Sequence, residues 1–319
     1  MAAMARGAGA GMGLAVVSAA SFGSSGAFGG SLIAAGWTPA LVVLIRIALG
    51  AAILAVPTFL ALRGRWALLW AGRKVALLYG VFAVACAQVF YFNAVQRLSV
   101  GVALMLEYLG VVLVVGWMWA RHGRRPRRLT VVGSVFALLG LALVLDLLGG
   151  GKLDPVGVLW GLGAAVGLAV FFVVSAREQD ALPPVAMAGV GMGIGSVILL
   201  VFGLVGVLPF GSGASTVLLG GARLPWWVPI LGLSVIAAAL AYAVGVKAAR
   251  VLGATLASFI GLTEVLFAVL FAWLLLDELP TAIQFAGGAF IVGGVCLVRI
   301  DELRRDRTPA LDPVGAPSA

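Results

Sequence analysis

Residues 251–275 read VLGATLASFIGLTEVLFAVLFAWLL, an apolar stretch that contains one charged side chain, Glu264. A helix of about 20 apolar residues is long enough to cross the hydrocarbon core of a bilayer. The strands of a membrane barrel are shorter and alternate apolar with polar residues, and this stretch does neither. It therefore predicts a transmembrane helix.

The rest of the chain repeats this pattern. Of 319 residues, 63% are hydrophobic and 10% are charged, and the mean hydropathy is +1.17. Soluble domains have about 45–50% apolar and about 25% charged residues. The composition excludes an ordinary soluble protein. We predict an all-α integral membrane protein with ten spans, at residues 12–34, 38–62, 75–96, 99–119, 129–147, 156–176, 183–207, 227–246, 251–275 and 281–299.

The two ends of the chain are interpreted differently. The first apolar run continues past Phe22 to Ala35 with no clear cleavage site, so we expect a retained helix rather than a removed signal peptide. After Arg299 the chain is charged and Pro-rich. We therefore expect residues 301–319 to form a disordered cytoplasmic tail.

The Lys and Arg residues indicate the orientation of these spans. With the N-terminus placed in the cytoplasm, most of the 21 basic residues fall in segments on the cytoplasmic side. This asymmetry follows every second loop, as the positive-inside rule requires. It predicts a multi-pass protein of the plasma membrane with both termini cytoplasmic, and it accounts for the net charge of +9 without a nucleic-acid partner. The exceptions are Arg46, which lies within a span, and Arg97, Lys152 and Arg223.

The two halves of the sequence match each other in order, although a Gly-rich chain could give such matches by chance. Each half holds five predicted spans, and an odd number inserts the second half upside down relative to the first. Inverted repeats of this kind are typical of secondary transporters. We predict two five-helix repeats, at 12–147 and 156–300. The matches are Pro39/Pro184, Gly50/Gly195, Gly80/Gly232, Gly101/Gly253, Pro126/Pro280, Gly133/Gly287 and Gly140/Gly294.

Two short motifs carry a resemblance to a known family. The run ALMLEYLGV at 103–111 resembles the ALEFxGP segment of EamA-type carriers in the drug/metabolite transporter superfamily, especially the threonine/homoserine exporter branch. GLTEVLF at 261–267 and WLLLDEL at 273–279 resemble the corresponding second-repeat segment, and Arg46 lies where many members carry Arg. Val111 and Val265 replace the usual Pro, and Asp277 the usual Gly. The resemblance implies a ten-helix carrier that exports small metabolites, often amino acids or related compounds.

Three charged residues stand out because they lie deep inside predicted spans, where a charge is costly and usually functional. Arg46, Glu107 and Glu264 lie at similar depths, about 12–16 Å from the outer ends of their spans at 1.5 Å per residue. Desolvation favours the neutral form of a carboxyl group, so either Glu could exchange a proton, as proton-coupled export requires. Alternatively, Arg46 and one Glu form a buried ion pair that fixes helix packing.

Polar residues in two other spans are further candidates. Gln88, Tyr91 and Asn93 of the third span either line the substrate pathway or bond neighbouring helices. The Ser- and Gly-rich stretch 18–30 of the first span permits close helix packing, or it provides a polar wall beside the substrate.

The remaining motifs predict neither cofactor nor metal. The chain has one His and two Cys, too few for the usual metal ligand sets, and it has no GxGxxG or P-loop pattern. We predict a secondary active transporter that exports a small metabolite by alternating access, coupled to protons, and no enzyme activity. The alternatives are an intramembrane lipid-modifying enzyme and a sensor or scaffold that does not transport.

Overall fold

The computed structural model describes residues 2–95, 97–98, 100–123, 127–144, 154–177, 182–276, 279 and 281–306. Nearly all of these residues are helical, and helix boundaries mostly coincide with Pro, Gly or the charged connectors. In the first half the α-helices are α1 (Ala2–Gly23), α2 (Ser25–Ala34), α3 (Pro39–Leu62), α4 (Trp66–Leu78), α5 (Ala87–Val95), α6 (Val100–Tyr108), α7 (Gly110–His122) and α8 (Arg128–Val144), with a π-helix, π1 (Tyr79–Cys86), between α4 and α5.

The second half follows the same plan. Its α-helices are α9 (Pro155–Ser175), α10 (Pro184–Leu204), α11 (Trp227–Ser234), α12 (Ala241–Leu252), α13 (Ala254–Gly261), α14 (Thr263–Leu276) and α15 (Ala282–Asp306), with π2 (Val235–Leu240) between α11 and α12 and two strands, β1 (Thr216–Leu219) and β2 (Ala222–Pro225).

The helices confirm the all-α membrane class. The number ten stays a prediction, because α6 and α7, at the position of the fourth predicted span, are separate helices of 9 and 13 residues. The fifth corresponds to a shorter apolar helix, Arg128–Leu143. Within the described ranges, eight helices are long and apolar enough to cross a membrane, namely Gly9–Ala34, Pro39–Leu62, Trp66–Tyr91, Pro155–Ser175, Pro184–Leu204, Trp227–Leu252, Ala254–Leu275 and Ala282–Asp301.

The packed helix pairs are related by the internal repeat. Some pairs join equivalent helices of the two halves, and the others have an equivalent pair elsewhere. Helix α3 packs on α10 and α8 packs on α15, and each of these pairs joins equivalent spans of the two halves. Helix α1 packs on α12, and its counterpart α9 packs on α5. This reciprocal pattern is that of two similar units related by an approximate twofold axis, as the inverted-repeat prediction requires.

The interruptions of the helices also come in equivalent pairs. The π-helices π1 and π2 lie in the third and eighth predicted spans. A turn at Leu109 separates α6 from α7, and a turn at Leu262 separates α13 from α14. Both turns are tightened by hydrogen bonds three residues apart, at 3.2 Å from Leu109 N to Leu106 O and from Leu262 N to Phe259 O. The breaks are therefore present even though Val111 and Val265 replace the family's Pro.

Glycine brings α8 and α15 into direct backbone contact. A Cβ atom added at Gly140 would lie 2.5 Å from Gly287 O, and one at Gly294 would lie 2.6 Å from Gly133 O. The internal repeat aligns Gly133 with Gly287 and Gly140 with Gly294, so the two contacts are equivalent to each other. The small residues thus allow two equivalent helices to approach closely where lipid supplies no hydrophobic driving force.

The connector between α10 and α11 contains structure that the sequence did not predict. Strands β1 and β2 form an antiparallel hairpin, and Gly220 and Gly221 occupy its turn with φ of 60° and 73°. Only glycine adopts such angles at no steric cost. The connector is fixed to the α2–α3 turn, since Ala214 N donates to Ala35 O at 2.8 Å and the Trp37 and Trp226 rings lie 5.2 Å apart.

At the other end of the chain, α15 continues to Asp306. The expectation of disorder from residue 301 was therefore wrong for 301–306, and residues 307–319 lie outside the described ranges. One reason is a buried tertiary contact, because Thr130 Oγ1 donates to Asp301 Oδ2 at 2.7 Å and ties α15 to α8.

The start of α9 is capped in the usual way. Asp154 accepts hydrogen bonds from the backbone amides of Gly157 and Val156, at 3.2 and 2.7 Å, and pairs with Arg97 at 3.3 Å. These amides, and secondarily Arg97, hold the pKa of the Asp154 carboxyl below its usual range. The contact connects the connectors that precede the fourth and sixth predicted spans.

We expect Gly140→Ala to lower the thermal midpoint of the purified protein in detergent by several degrees. The added methyl group must displace backbone atoms of α15, and such overpacking costs about 1–3 kcal/mol. Gly116→Ala is the matched control, because nothing lies within 4 Å of the added Cβ and that helix should be unaffected. Equal midpoints for the two variants would show that α8 and α15 do not pack as described.

Candidate functional site

A buried cavity of about 170 Å³ lies between the two repeats. Both repeats contribute to its walls, which come from α1, α2, α3, π1, α5, α6, α9, α12, α13 and α14. Five of the six residues predicted from the sequence line it, namely Arg46, Gln88, Tyr91, Glu107 and Glu264. The cavity is the place where spans of opposite repeats meet, as expected for an inverted-repeat carrier.

The two carboxylates flank the paired helix breaks. Glu107 is the second-last residue of α6, just before the turn at Leu109, and Glu264 is the second residue of α14, just after the turn at Leu262. Each break therefore places one carboxylate at the cavity wall. Neither residue is fully buried within protein, which is consistent with side chains that face a hollow rather than packed neighbours.

The equivalent positions are glycines with different surroundings. Gly261, which aligns with Glu107, lines the cavity, and a Cβ there would lie 2.8 Å from the Phe172 ring. Gly110, which aligns with Glu264, packs on α9 instead, where a Cβ would lie 2.6 Å from Ala165 O. The swap of Glu and Gly thus makes the cavity asymmetric although the helices around it are paired.

Arg46 is 8% exposed, on α3. Its Nη2 atom donates to Ala237 O in π2 at 2.7 Å, and its Nε atom has no hydrogen-bond partner among the described residues. Electrostatic interactions link the guanidinium to Glu107 and Glu264, but within the described ranges no ion pair joins Arg46 to either carboxylate. The structure thus replaces the alternative of a direct ion pair with a bond to backbone, and leaves Arg46 as a nearby positive charge.

The polar residues of the third span fall into two groups. Gln88 and Tyr91 line the cavity, and Gln88 also interacts with the Tyr242 hydroxyl. Asn93 is not among the lining residues, and its Nδ2 atom donates to Val89 O of its own helix at 2.8 Å. The structure therefore does not bring Asn93 to the site with the other five.

Hydroxyl groups complete the polar part of the wall. The Tyr108 hydroxyl lies beside the Glu264 carboxylate and interacts with it. Ser18 and Ser25 of the first span line the cavity, and Ser18 Oγ donates to Ala241 O at 2.8 Å. A Cβ at Gly23 would lie 2.7 Å from Glu264 O, so the same stretch also packs tightly on α14. In this stretch, Ser18 and Ser25 are part of a polar wall, whereas Gly23 permits close packing.

Aromatic rings form another part of the wall, and most of them could not be predicted from the sequence. The Phe22 and Tyr242 rings lie 5.0 Å apart, as do the Phe171 and Phe172 rings, both pairs edge to face. The Phe171 and Tyr242 rings connect the two pairs at 5.8 Å. Three of the four tyrosines of the chain line the cavity, and this concentration in membrane spans was the one available signal.

The arrangement can bind a molecule that carries both signs of charge. Two carboxylates attract an amine or a proton, one guanidinium attracts an acid group, and the aromatic rings accept an apolar body or a cation. Within the described residues, no group of three His, Cys, Asp and Glu side chains is arranged to hold a metal ion.

Comparison with known proteins gives the same family as the motifs. The sequence profile of the EamA-like transporter family matches residues 9–146 and 155–300, which are the two halves of the chain. An uncharacterized transporter of Archaeoglobus fulgidus is 26% identical over 212 residues, which are 65% of this chain and 70% of the relative. The uncharacterized transporter YwfM of Bacillus subtilis strain 168 is 28% identical over 131 residues, which are 41% of this chain and 44% of that relative, so this match spans less than half of its length.

The fold is also found among solved structures. One crystal structure of a protein matches with a TM-score of 0.70 and 20% sequence identity, covering 94% of this chain and 99% of that one. At this identity the likeness concerns the fold alone. Since the family profile covers both repeats, the chain belongs to the EamA-like transporter family.

Proposed function

We propose that this protein is a secondary carrier that exports a small metabolite, an amino acid or a related compound, across the plasma membrane in exchange for protons. The observation that carries the proposal is the buried cavity between the repeats, which Arg46, Glu107 and Glu264 share. Charged side chains inside a bilayer mark substrate and proton pathways. Membership of a transporter family supports transport rather than enzyme activity.

The cavity suits a small zwitterion. Its volume of about 170 Å³ and its lining by two carboxylates and a guanidinium fit a small polar metabolite. An ammonium group would face Glu107 and Glu264, and a carboxylate would face Arg46. One Nη2 hydrogen of Arg46 is used by Ala237 O, and a guanidinium carries five N–H donors, so its other Nη hydrogens are available to such a substrate.

Two carboxylates and one guanidinium also explain how protons and substrate would compete. The single guanidinium balances one negative charge, so the charge of the second carboxylate must be removed by a proton or balanced by an ammonium group. A proton from outside and a substrate from inside would then occupy the same carboxylate in turn. Alternating access follows if the paired helices exchange roles, opening the cavity first to one side and then to the other.

The direction of transport follows from the site only when it is combined with the predicted orientation of the chain in the membrane. With both termini in the cytoplasm, the β1–β2 hairpin and the α2–α3 turn lie on the outer side, while the basic connectors lie inside. The acidic outer solution would supply protons for uptake through the carrier. Export of the metabolite is the direction that this gradient drives in an exchanger.

We expect Glu107→Gln to abolish export or to uncouple it from protons, because glutamine keeps the shape and loses the exchangeable proton. Glu264→Gln should act in the same direction. Asn93→Ala is the matched control in a neighbouring span, since its side chain bonds its own helix and does not line the cavity. The measurement is efflux from membrane vesicles, with the amount of inserted protein determined separately. Unchanged efflux in both Glu variants would overturn the assigned role of the carboxylates.

We also expect cells that contain the protein to release a small metabolite that cells without it retain. Release should be greater at external pH 6 than at external pH 8, because a more acidic medium strengthens proton uptake. Metabolite profiling of the medium at both pH values makes this measurement. Identical profiles with and without the protein would favour the sensor or scaffold alternative, and a chemically altered lipid would favour the enzyme.

A further inference from the structure

A second cavity is also lined by Glu264. Its volume is about 320 Å³. Leu104, Tyr108 and Glu264 line both cavities, so these three side chains form the wall between them. The Glu264 carboxylate is thus the one ionisable acid among the described residues that borders both hollows.

The second cavity extends along one face of α14 towards the start of α15. Val265, Ala268, Val269 and Ala272 form its wall at spacings of three and four residues. Its far end is lined by Thr281 and Gln284, which cap α15, as Thr281 N donates to Gln284 Oε1 at 2.8 Å. Glu264 is the second residue of α14 and Thr281 directly precedes α15, so the lining includes residues from the first turn of α14 to the start of α15.

The lining limits what this cavity can carry. Apart from Glu264, no charged side chain lines it within the described ranges, so a charged metabolite would lose its hydration without gaining a partner. A file of water molecules needs polar groups mainly at its ends. Tyr108 and Glu264 provide such polar groups next to the central cavity. Thr281 and Gln284 provide them at the start of α15. The volume is sufficient for about ten waters at about 30 Å³ each.

We infer that the second cavity is a water-filled proton route to Glu264, separate from the central cavity that takes the substrate. This inference rests on the proposed function and adds a path to it. Protons reach the carboxylate from the side where α14 ends and α15 begins, while the substrate approaches it from the central cavity. The groups that face Glu264 and bear on its charge are Tyr108 and Glu107 of α6, Arg46 of α3, Tyr91 of α5 and Tyr242 of α12.

The first test asks whether the cavity holds water. Cys86 and Cys296 are replaced by Ala, and single cysteines are then introduced as Ala272→Cys in the cavity wall and Leu274→Cys on the surface of the same helix. Leu274 is 60% exposed and faces lipid, so it is the matched control. In lipid nanodiscs, a small cationic methanethiosulfonate should modify Ala272→Cys at least 10-fold faster than Leu274→Cys. Equal rates, or reaction with an apolar maleimide alone, would show a lipid-filled cavity and overturn the inference.

The second test asks whether the route carries the coupling protons. Ala272→Trp places an indole ring in the cavity, Ala272→Leu places a smaller side chain there, and Leu274→Trp places the same ring on the exposed face of the helix. The increase in export between external pH 8 and pH 6 should fall at least 5-fold in Ala272→Trp, fall less in Ala272→Leu, and persist in Leu274→Trp. Unchanged pH dependence in both Ala272 variants would overturn the route. Absence of export from wild-type vesicles would instead remove the proposed function, while the labelling result would still decide whether the cavity is hydrated.

Discussion

The absence of water from the bilayer core is the constraint on which this structure depends. Backbone groups there must be paired within the chain, so the spans are helices, and ionisable side chains are tolerated only where they face an internal hollow or each other. Arg46, Glu107 and Glu264 obey this constraint by lining one cavity between the repeats. Their concentration there leaves the outer surface to apolar residues such as Phe59 and Trp70.

The two repeats share a packing plan but differ in chemistry. Helices α8 and α15 meet through equivalent glycines, and α3 packs on its equivalent α10. Around the cavity the symmetry is broken, because each Glu aligns with a glycine of the other repeat. In addition, the Ala237 carbonyl of π2 accepts a hydrogen bond from Arg46. A symmetric scaffold with an asymmetric lining can alternate between two orientations while it holds one substrate in one pose.

Much of this could be predicted from the sequence, because an apolar run makes a charge conspicuous. Arg46, Glu107 and Glu264 stood out for that reason, and the structure brings them to one cavity. Asn93 does not line the cavity with them. It lies five residues after Gln88, which places it about 140° further around the helix, on another face.

The aromatic wall and the second cavity could not be found in this way. Phe171, which is 7% exposed and lines the cavity, and Phe59, which is 52% exposed to lipid, look alike within apolar runs. Only tertiary packing separates them. The ends of the helices were missed for a similar reason, because the contact of Thr130 with Asp301 that accompanies the extension of α15 joins residues far apart in the chain.

The central claim is that substrate and protons compete for the carboxylates of one cavity. It is tested most directly by adding the exported metabolite to the purified protein in weakly buffered solution and recording the pH. Binding should release protons from the wild type and none from the Glu107→Gln/Glu264→Gln double variant. Binding to the wild type with no proton release at any starting pH between 6 and 8 would contradict the account.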